Sequence, residues 1–420
     1  MTTTEPPRAG PAAEPAGQGQ GAFASLRARH FPKVWAAGWI WNIGRWAMGF
    51  LGAYVANDLT DSPRLVQLTG SFMWGPLLFA GLIGGAVSDR FDRRRVVLAQ
   101  LALMVPLTSL MGVLALRDQL RVWMIYPFMV AVGIGWVVDM TVRRAMIYDL
   151  VGPEHVTGAM ALEMLSSAAG LAMGALIGGT VIQTLGVGPA YFVVVGGLVV
   201  AVAIMWRVPS PPRAASLTPP GGRPSFLSTV ADGFRALPAN PALVSILGVT
   251  VFVDFFHFSF TPIIQVIAKR VDATPSMTGL IAAATGLGMM IGSYWVAARR
   301  PHAGRAYVVG SMAACLLILG LATVASYPVI VASAFTAGLA MGLFGSTQTA
   351  LAITSTSDEM RGRAMGLLSM AIGALPVGMY ALGELAQEIG APAALVAFNL
   401  TGLAGIALWV KLRPEVLSVR

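Results

Sequence analysis

Long apolar runs alternate with short polar segments along the whole chain, and each run is about as long as a membrane-spanning helix. An α-helix needs about 20 mostly apolar residues to cross a bilayer. Six such runs precede the longest polar gap and six follow it. The predicted helices occupy 34–57, 67–88, 96–116, 122–144, 156–183, 189–208, 241–268, 276–298, 305–325, 328–353, 362–388 and 392–412.

The longest polar gap, at 209–240, is rich in proline and is typical of a linker. We therefore divide the chain into a disordered tail, two six-helix bundles joined by a linker, and a short second tail. Their predicted bounds are 1–30, 31–208, 209–240, 241–413 and 414–420. The first tail has no apolar core and does not match a signal peptide.

Composition excludes several classes of protein. Hydrophobic residues make up 56% of the chain and charged residues only 11%, whereas about 25% of a typical soluble domain is charged. This composition therefore excludes a soluble enzyme and a disordered chain, and it disfavours a β-barrel. The single cysteine, Cys315, excludes an intramolecular disulfide framework. The fold class is an all-α membrane protein, and no enzymatic activity is expected.

The basic residues indicate how the helices are oriented. Of 28 Lys and Arg residues, 22 fall on one predicted side of the membrane, five on the other, and Arg45 lies within a span. Because Lys and Arg collect on the cytoplasmic side, both termini and the linker are predicted to be cytoplasmic. The charges form no single basic face, so the net charge of +9 does not indicate nucleic-acid binding.

The two halves resemble weak repeats. Pro32 and Pro241 each stand at the start of the first helix of their half, which gives an offset of 209 residues. Under this offset Arg45 coincides with Asp254. Both residues lie near the middle of a predicted span.

A charged loop follows the second predicted helix, with the sequence Gly85-Ala-Val-Ser-Asp89-Arg90-Phe-Asp-Arg93-Arg94-Arg95. It resembles the signature loop of the major facilitator superfamily, although Asp92 replaces the second glycine. The resemblance implies two pseudo-symmetric six-helix bundles and a gating role for the loop. Gly85, Asp89, Arg90, Arg93 and Arg94 are the residues that match. The alternative is a loop that only sets orientation.

Helix five carries Gly170, Gly174, Gly178 and Gly179, a pattern that is similar to the antiporter signature of the same superfamily. Ala175 stands where that signature has proline, and ordinary packing of small residues explains the glycines equally well. Short segments after helix four and around helix eleven resemble the enterobactin-exporter branch of bacterial efflux proteins.

Ionisable residues within spans are costly and are therefore candidates for function. Asn42 lies on the same helical face as Arg45. On helix seven, Asp254 belongs to a polar stripe with Thr250, His257, Thr261 and Gln265 at helical spacing. We hypothesise that Arg45 and Asp254 pair near the membrane midplane in one state of the transport cycle. A permanent structural pair, or separate local partners, is the alternative.

Five further charged or polar residues lie within predicted spans. The four-residue spacing of Asp139 and Arg143 predicts an intrahelical ion pair, or a contact with the signature loop. Tyr380 and Glu384 share a face of helix eleven and are candidates for a cavity. Glu163 has no obvious helical partner. The 22 methionines are scattered without ligand spacing, so no metal site and no cofactor are predicted.

The resemblance implies secondary active transport, with proton-coupled efflux of a small amphipathic organic compound through a monomer in the bacterial cytoplasmic (inner) membrane. Uptake of a metabolite or metal chelate is an alternative of the same class. A non-transporting receptor or assembly factor is an alternative of another class. The lipid bilayer and a small-molecule substrate are the expected partners, and the proton gradient is the expected driving force.

Overall fold

The computed structural model describes residues 22–79, 91–210, 235, 237, 240–357 and 360–419. These residues form helices and contain no β-strand. Ten of the helices are long and apolar enough to cross a membrane. The chain is therefore an all-helical protein of the multi-pass membrane type.

In the first half, before the linker, the described residues form six α-helical segments after a 3₁₀ helix at Ala22–Arg27. They are α1 (Phe31–Thr60), α2 (Pro63–Trp74), α3 (Arg93–Leu116), α4 (Val122–Gly152), α5 (Glu154–Leu185) and α6 (Val187–Trp206). Ser62 caps α2 and Asp92 caps α3, each by accepting a hydrogen bond from a backbone N–H of the first turn. Gly152, with φ of 70°, makes the bend between α4 and α5.

The described residues after the linker form further helices. They are α7 (Pro241–Lys269), α8 (Pro275–Arg299), α9 (Ala303–Thr323), α10 (Tyr327–Thr354), α11 (Arg363–Ile389) and α12 (Ala391–Leu412). Proline stands at the first turn of α7, α8, α10 and α12, where its missing N–H costs no helical bond.

Ten predicted spans, from α3 onward, are found close to their predicted bounds, whereas α1 and α2 are not among the ten. α1 is 30 residues long, but its Trp, Gly, Asn and Arg residues lower its hydropathy. α2 continues as a 3₁₀ turn at Gly75–Phe79, and residues 80–90 lie outside the described part of the chain. Span α4 is longer than predicted because the helix continues past Arg143 to Gly152.

Two spans contain a π-helical turn, at Asp139–Arg143 in α4 and at Val253–His257 in α7. In α7 a 3₁₀ turn, Phe258–Phe260, follows directly. A π-turn inserts an extra residue into the helix and so rotates the side chains after it, and such turns are frequent at functional sites. Each turn holds one acidic candidate from the sequence, Asp139 in α4 and Asp254 in α7.

Small residues bring helices close together within and between the halves. A Cβ atom on Gly174 would lie 2.6 Å from the carbonyl oxygen of Ile43 in α1. A Cβ on Gly179 would lie 2.3 Å from the carbonyl oxygen of Pro275, where α8 begins. The glycines of α5 therefore contact α1 with one part of the helix and α8 of the other half with another. The division into domains at 209–240 stays a prediction, because most of that segment is outside the described residues.

Candidate functional site

A central cavity of about 180 Å³ lies between the two halves of the chain. Its lining comes from α1, α2, α4 and α5 of the first half, which include three tryptophans, and from α7, α8, α10 and α11 of the second half. The lining residues used below are Arg45, Trp46, Trp74, Trp136, Ser167, Thr261 and Thr285. A neighbouring cavity of about 60 Å³ shares seven lining residues with it and includes Gln265.

Arg45 is the charged residue among the described residues that line the central cavity. Its side chain is 1% exposed, and its Nε and Nη1 atoms have no hydrogen-bond partner. The guanidinium carbon lies 4.5 Å from the ring centroid of Trp46 and 4.9 Å from that of Trp136. Cation–π contact stabilises the cation, but it leaves the N–H donors free to bind another group.

Behind the cavity wall, Arg143 holds two buried acids. It donates to Glu163 Oε1 at 2.7 Å and to Asp139 Oδ2 at 3.0 Å, and it forms an ion pair with each. Gly38 of α1 makes room, because a Cβ there would lie 2.2 Å from Nη1 of Arg143. The intrahelical pair of Asp139 and Arg143 is thus part of a triad with Glu163. Glu163 has a partner on another helix, which spacing within its own helix could not predict.

Asn42 belongs to the same polar interior of the first half. Its amide donates to the Ser166 hydroxyl at 3.2 Å, which joins α1 to α5. Asn42 is not among the residues that line the cavity. It therefore positions α1, while its helical neighbour Arg45 reaches the cavity.

The polar stripe of α7 is divided between different surroundings. Thr261 lines both cavities, whereas Asp254 and His257 are buried elsewhere. His257 Nδ1 lies 3.1 Å from Asn399 Oδ1, and the Thr250 hydroxyl lies 2.7 Å from that of Tyr307. The prediction of a single polar stripe requires a continuous α-helix. The π-helical and 3₁₀ turns interrupt the α-helical spacing of these residues, so they do not share one face.

Asp254 is 5% exposed, and its Oδ2 atom has no hydrogen-bond partner. Among the described residues, the ion pairs do not include one between Arg45 and Asp254. Arg45 and Asp254 thus lie in opposite halves, and neither takes part in an ion pair with a described residue. Pairing of the two in another state stays a prediction.

Polar contacts join the two halves near the ends of α1, α2, α7 and α11. We call this group the cross-half belt; its members are Asn57, Asp61, Ser62, Arg64, Gln67, Ser259, Gln265, Lys269, Glu384 and Gln387. Gln67 donates to the carbonyl of Ser259 at 2.9 Å, and Asn57 donates to that of Gln265 at 3.0 Å. Ser62 donates to Gln387 at 2.7 Å, and Lys269 pairs with Asp61.

Glu384 belongs to this belt, since its carboxylate lies 3.3 Å from Nε of Arg64. Neither Glu384 nor Tyr380 is among the residues that line the two central cavities, and Tyr380 is 48% exposed. The structure therefore places Glu384 at a contact between the halves rather than at the cavity.

Only part of the signature loop can be described, because Gly85, Asp89 and Arg90 lie outside the described residues. Arg93 forms an ion pair with Asp149 at the end of α4 and donates to the carbonyl of Ala145 at 3.2 Å. Arg94 donates to the carbonyl of Trp206 at 2.7 Å. The described end of the loop is thus tied to α4 and α6.

The glycines of α5 have separate packing roles. Cβ atoms on Gly170 and Gly174 would meet the backbone of α1, at 2.9 Å for the Asn42 carbonyl carbon in the first case. A Cβ on Gly178 would make ordinary contact with Phe50 at 3.4 Å. Gly179 instead approaches α8. The motif allows close helix approach at three of its four positions.

Sequence reasoning missed three contributors to this region, namely Glu163 as the second acid on Arg143, and Trp74 and Trp136 in the cavity wall. A lone acid within a span is a signal that a buried partner exists. The tryptophans carry no such signal, because aromatic residues are common throughout spans. Within the described residues, no group of three or more His, Cys, Asp or Glu side chains is placed to hold a metal ion.

Comparison with known proteins assigns the family. Residues 20–418 match the family model described as transmembrane secretion effector. The multidrug efflux pump Tap of Mycolicibacterium fortuitum is 25% identical over 360 residues, 82% of this chain and 85% of Tap. The enterobactin exporter EntS of Salmonella typhimurium is 25% identical over 335 residues, 76% of this chain and 77% of EntS.

A bacterial homologue of the human lysosomal transporter Spinster has a similar fold, with a TM-score of 0.68 over 93% of this chain and 96% of its own, at 16% identity. The family match extends over nearly the whole described structure, including both walls of the cavity. The chain belongs to the transmembrane secretion effector family of the major facilitator superfamily, which consists of membrane transporters and not enzymes.

Proposed function

We propose that this protein exports small amphipathic organic compounds across the bacterial cytoplasmic membrane in exchange for protons. The observation that carries the proposal is the central cavity, whose wall is shared between the halves and is mostly apolar, with one cation, three hydroxyls and the indole N–H groups of three tryptophans. A site built from both halves changes its access when the halves move against each other. The relatives Tap and EntS, an efflux pump and an exporter, support the outward direction.

In this proposal α1 and α2 complete a set of twelve helices in two six-helix bundles, and the protein acts as a monomer. The cross-half belt supports such an arrangement, because Arg64 and Lys269 belong to the five basic residues that the charge distribution assigns to the outer side. A structure joined at its outer ends is closed to the outside. The belt must then separate when the compound is released.

Asp254 is the proposed proton carrier. An ionised carboxylate buried within a membrane span without a partner is costly, and binding of a proton removes its charge. Its position in a π-helical turn of α7, next to the turn that leads to Thr261 of the cavity, gives a route by which protonation changes the cavity wall. Coupling through helix geometry requires no direct contact between proton and substrate.

The transport proposal is tested with inverted membrane vesicles that carry an acidic interior, using a panel of fluorescent dyes of different charge. We expect gradient-dependent accumulation of at least one dye in vesicles with the protein and none in vesicles without it. Accumulation that persists after the gradient is collapsed contradicts proton antiport. Uptake by right-side-out vesicles under their natural gradient, without any in inverted ones, would reverse the proposed direction.

Asp254→Asn should abolish gradient-driven accumulation, because the amide cannot bind and release a proton. Exchange of labelled for unlabelled dye across the membrane, which needs no net proton movement, should continue in this variant. Asp272→Asn is the matched control, since Asp272 is exposed and has a φ of 49°, a conformation that asparagine also adopts. If Asp254→Asn accumulates dye as the wild type does, Asp254 does not carry the proton.

A further inference from the structure

The central cavity contains a cation that the protein itself leaves without a counter-ion. Nε and Nη1 of Arg45 have no hydrogen-bond partner although the side chain is 1% exposed. A buried charge is normally paired or hydrogen-bonded, because an uncompensated one is costly. Arg45 therefore points to a group that arrives from outside the protein.

The surrounding charges leave a positive excess. Arg45, Arg143 and Arg144 share this interior with two acids, Asp139 and Glu163, and both acids are already bonded to Arg143. Among the described residues that line the cavity, none is acidic. One negative charge is thus missing at the position where Arg45 meets the cavity.

The rest of the wall fits a flat apolar body. The rings of Trp74 and Trp136 meet edge to face with centroids 4.5 Å apart, and those of Trp46 and Trp74 are 6.2 Å apart. The guanidinium of Arg45 lies over Trp46 and Trp136. An aromatic compound in this cavity would have tryptophan rings to stack on and the guanidinium beside them.

The size of the cavity sets the scale of that body. A buried apolar cavity of roughly 150 Å³ admits benzene, and the central cavity measures about 180 Å³ with a smaller one beside it. The hydroxyls of Ser167, Thr261 and Thr285 and the indole N–H groups of the three tryptophans are the other polar side-chain groups of its wall. One or two fused rings with a single polar substituent match these dimensions.

The geometry points to an aromatic organic anion as the transported compound, with its carboxylate bound by Arg45 and its ring against the tryptophan wall. The planar guanidinium has N–H donors in the fork that a carboxylate accepts in pairs. This assignment rests on the proposed transport function, because it names the substrate class of the same cavity. A neutral or cationic compound of the same shape would leave Arg45 without a partner.

The test is equilibrium binding to the full-length protein in lipid nanodiscs by isothermal titration calorimetry. Three probes share one body and differ in charge: 2-naphthoate, 2-naphthylmethanol and 2-naphthylmethylammonium. We expect naphthoate to bind about tenfold or more tightly than the alcohol, because its carboxylate accepts charge-assisted hydrogen bonds from the guanidinium. The ammonium compound should bind more weakly than either.

Arg45→Gln should remove the preference for naphthoate and leave the affinity for the alcohol unchanged. Arg45→Lys keeps the charge and should retain part of the preference, which provides a second variant if Arg45→Gln does not fold. Trp136→Ala should weaken the binding of naphthoate and of the alcohol by similar factors. Arg117→Gln, at an exposed arginine beyond the end of α3, is the matched control and should bind like the wild type.

Equal binding of the three probes by the wild type would overturn the assignment, as would a folded Arg45→Gln protein that still prefers naphthoate. Binding needs no gradient, so its outcome is separate from that of transport. A protein that exports dyes but ignores probe charge keeps the proposed function and loses the substrate class. A protein that prefers naphthoate but exports nothing keeps the anion-binding site and loses the proposed export function.

Discussion

Replacing Arg143 by methionine is expected to prevent the protein from accumulating in folded form. The change leaves the carboxylates of Asp139 and Glu163 buried without their shared partner. Breaking a buried ion pair by removing one member costs about 3–5 kcal/mol, a large share of the stability of most domains. Thermal unfolding of the detergent-purified protein, with the fraction that elutes as a single species on size exclusion, measures the effect.

The matched control removes the charges together. In Asp139→Asn/Glu163→Gln/Arg143→Met none of the three triad members is left as a buried charge without its partner, so most of the lost stability should return. Arg143→Lys should fall between the two, since an ammonium group cannot bond both acids with the same planar fork. Wild-type stability in the Arg143→Met variant would mean that the triad does not stabilise the fold.

Gly179→Leu is expected to stop transport while the protein still folds. Any side chain here meets the backbone of Pro275 in α8, so the two halves cannot keep their approach. Overpacking of this kind costs about 1–3 kcal/mol, which corresponds to roughly a 5- to 150-fold shift of a conformational equilibrium. The shift should favour the state in which α5 and α8 are apart, and dye accumulation in inverted vesicles should fall accordingly.

The separation of α5 from α8 can also be measured by cysteine labelling at the nearby contact between Gln183 and Ser276. In a Cys315→Ala background, Ser276→Cys should react faster with a membrane-impermeant maleimide when Gly179→Leu is present. Gly196→Leu on α6 is the matched control, because a Cβ atom on Gly196 would have no other atom within 4 Å. This substitution should leave transport and labelling unchanged. An unaltered labelling rate in the Gly179→Leu protein would contradict the mechanism.

Local sequence patterns predict the helices well because a span is defined by its own residues. Ten spans lie close to their predicted bounds, and the glycines of α5 do lie at close helix contacts. Asp139 and Arg143 are four residues apart on one helix, so their contact depends on local geometry.

The site depends on contacts between distant segments, and these were less predictable. The offset between the halves aligns Arg45 with Asp254, yet the described ion pairs do not join them. The stripe on α7 assumes unbroken α-helical spacing, which the turn at Val253–His257 changes. Glu163 is hydrogen-bonded to Arg143, which lies 20 residues away in the sequence. The rings of Trp74 and Trp136, which are further apart in the sequence, are in contact. The helical periodicity of the sequence does not specify contacts between residues on different helices.

The low hydropathy of α1 bears on the order of events during biosynthesis. An arginine at the centre of a helix opposes membrane insertion by about 2.5–3.5 kcal/mol, and α1 also carries Asn42. Its polar face is covered by α5, through the bond between Asn42 and Ser166, 124 residues later in the chain. At about 5–20 residues per second of synthesis, that partner emerges roughly 6–25 s after Asn42. We therefore expect α1 to depend on the insertion machinery during this interval and to integrate fully into the bilayer only after α5 has arrived.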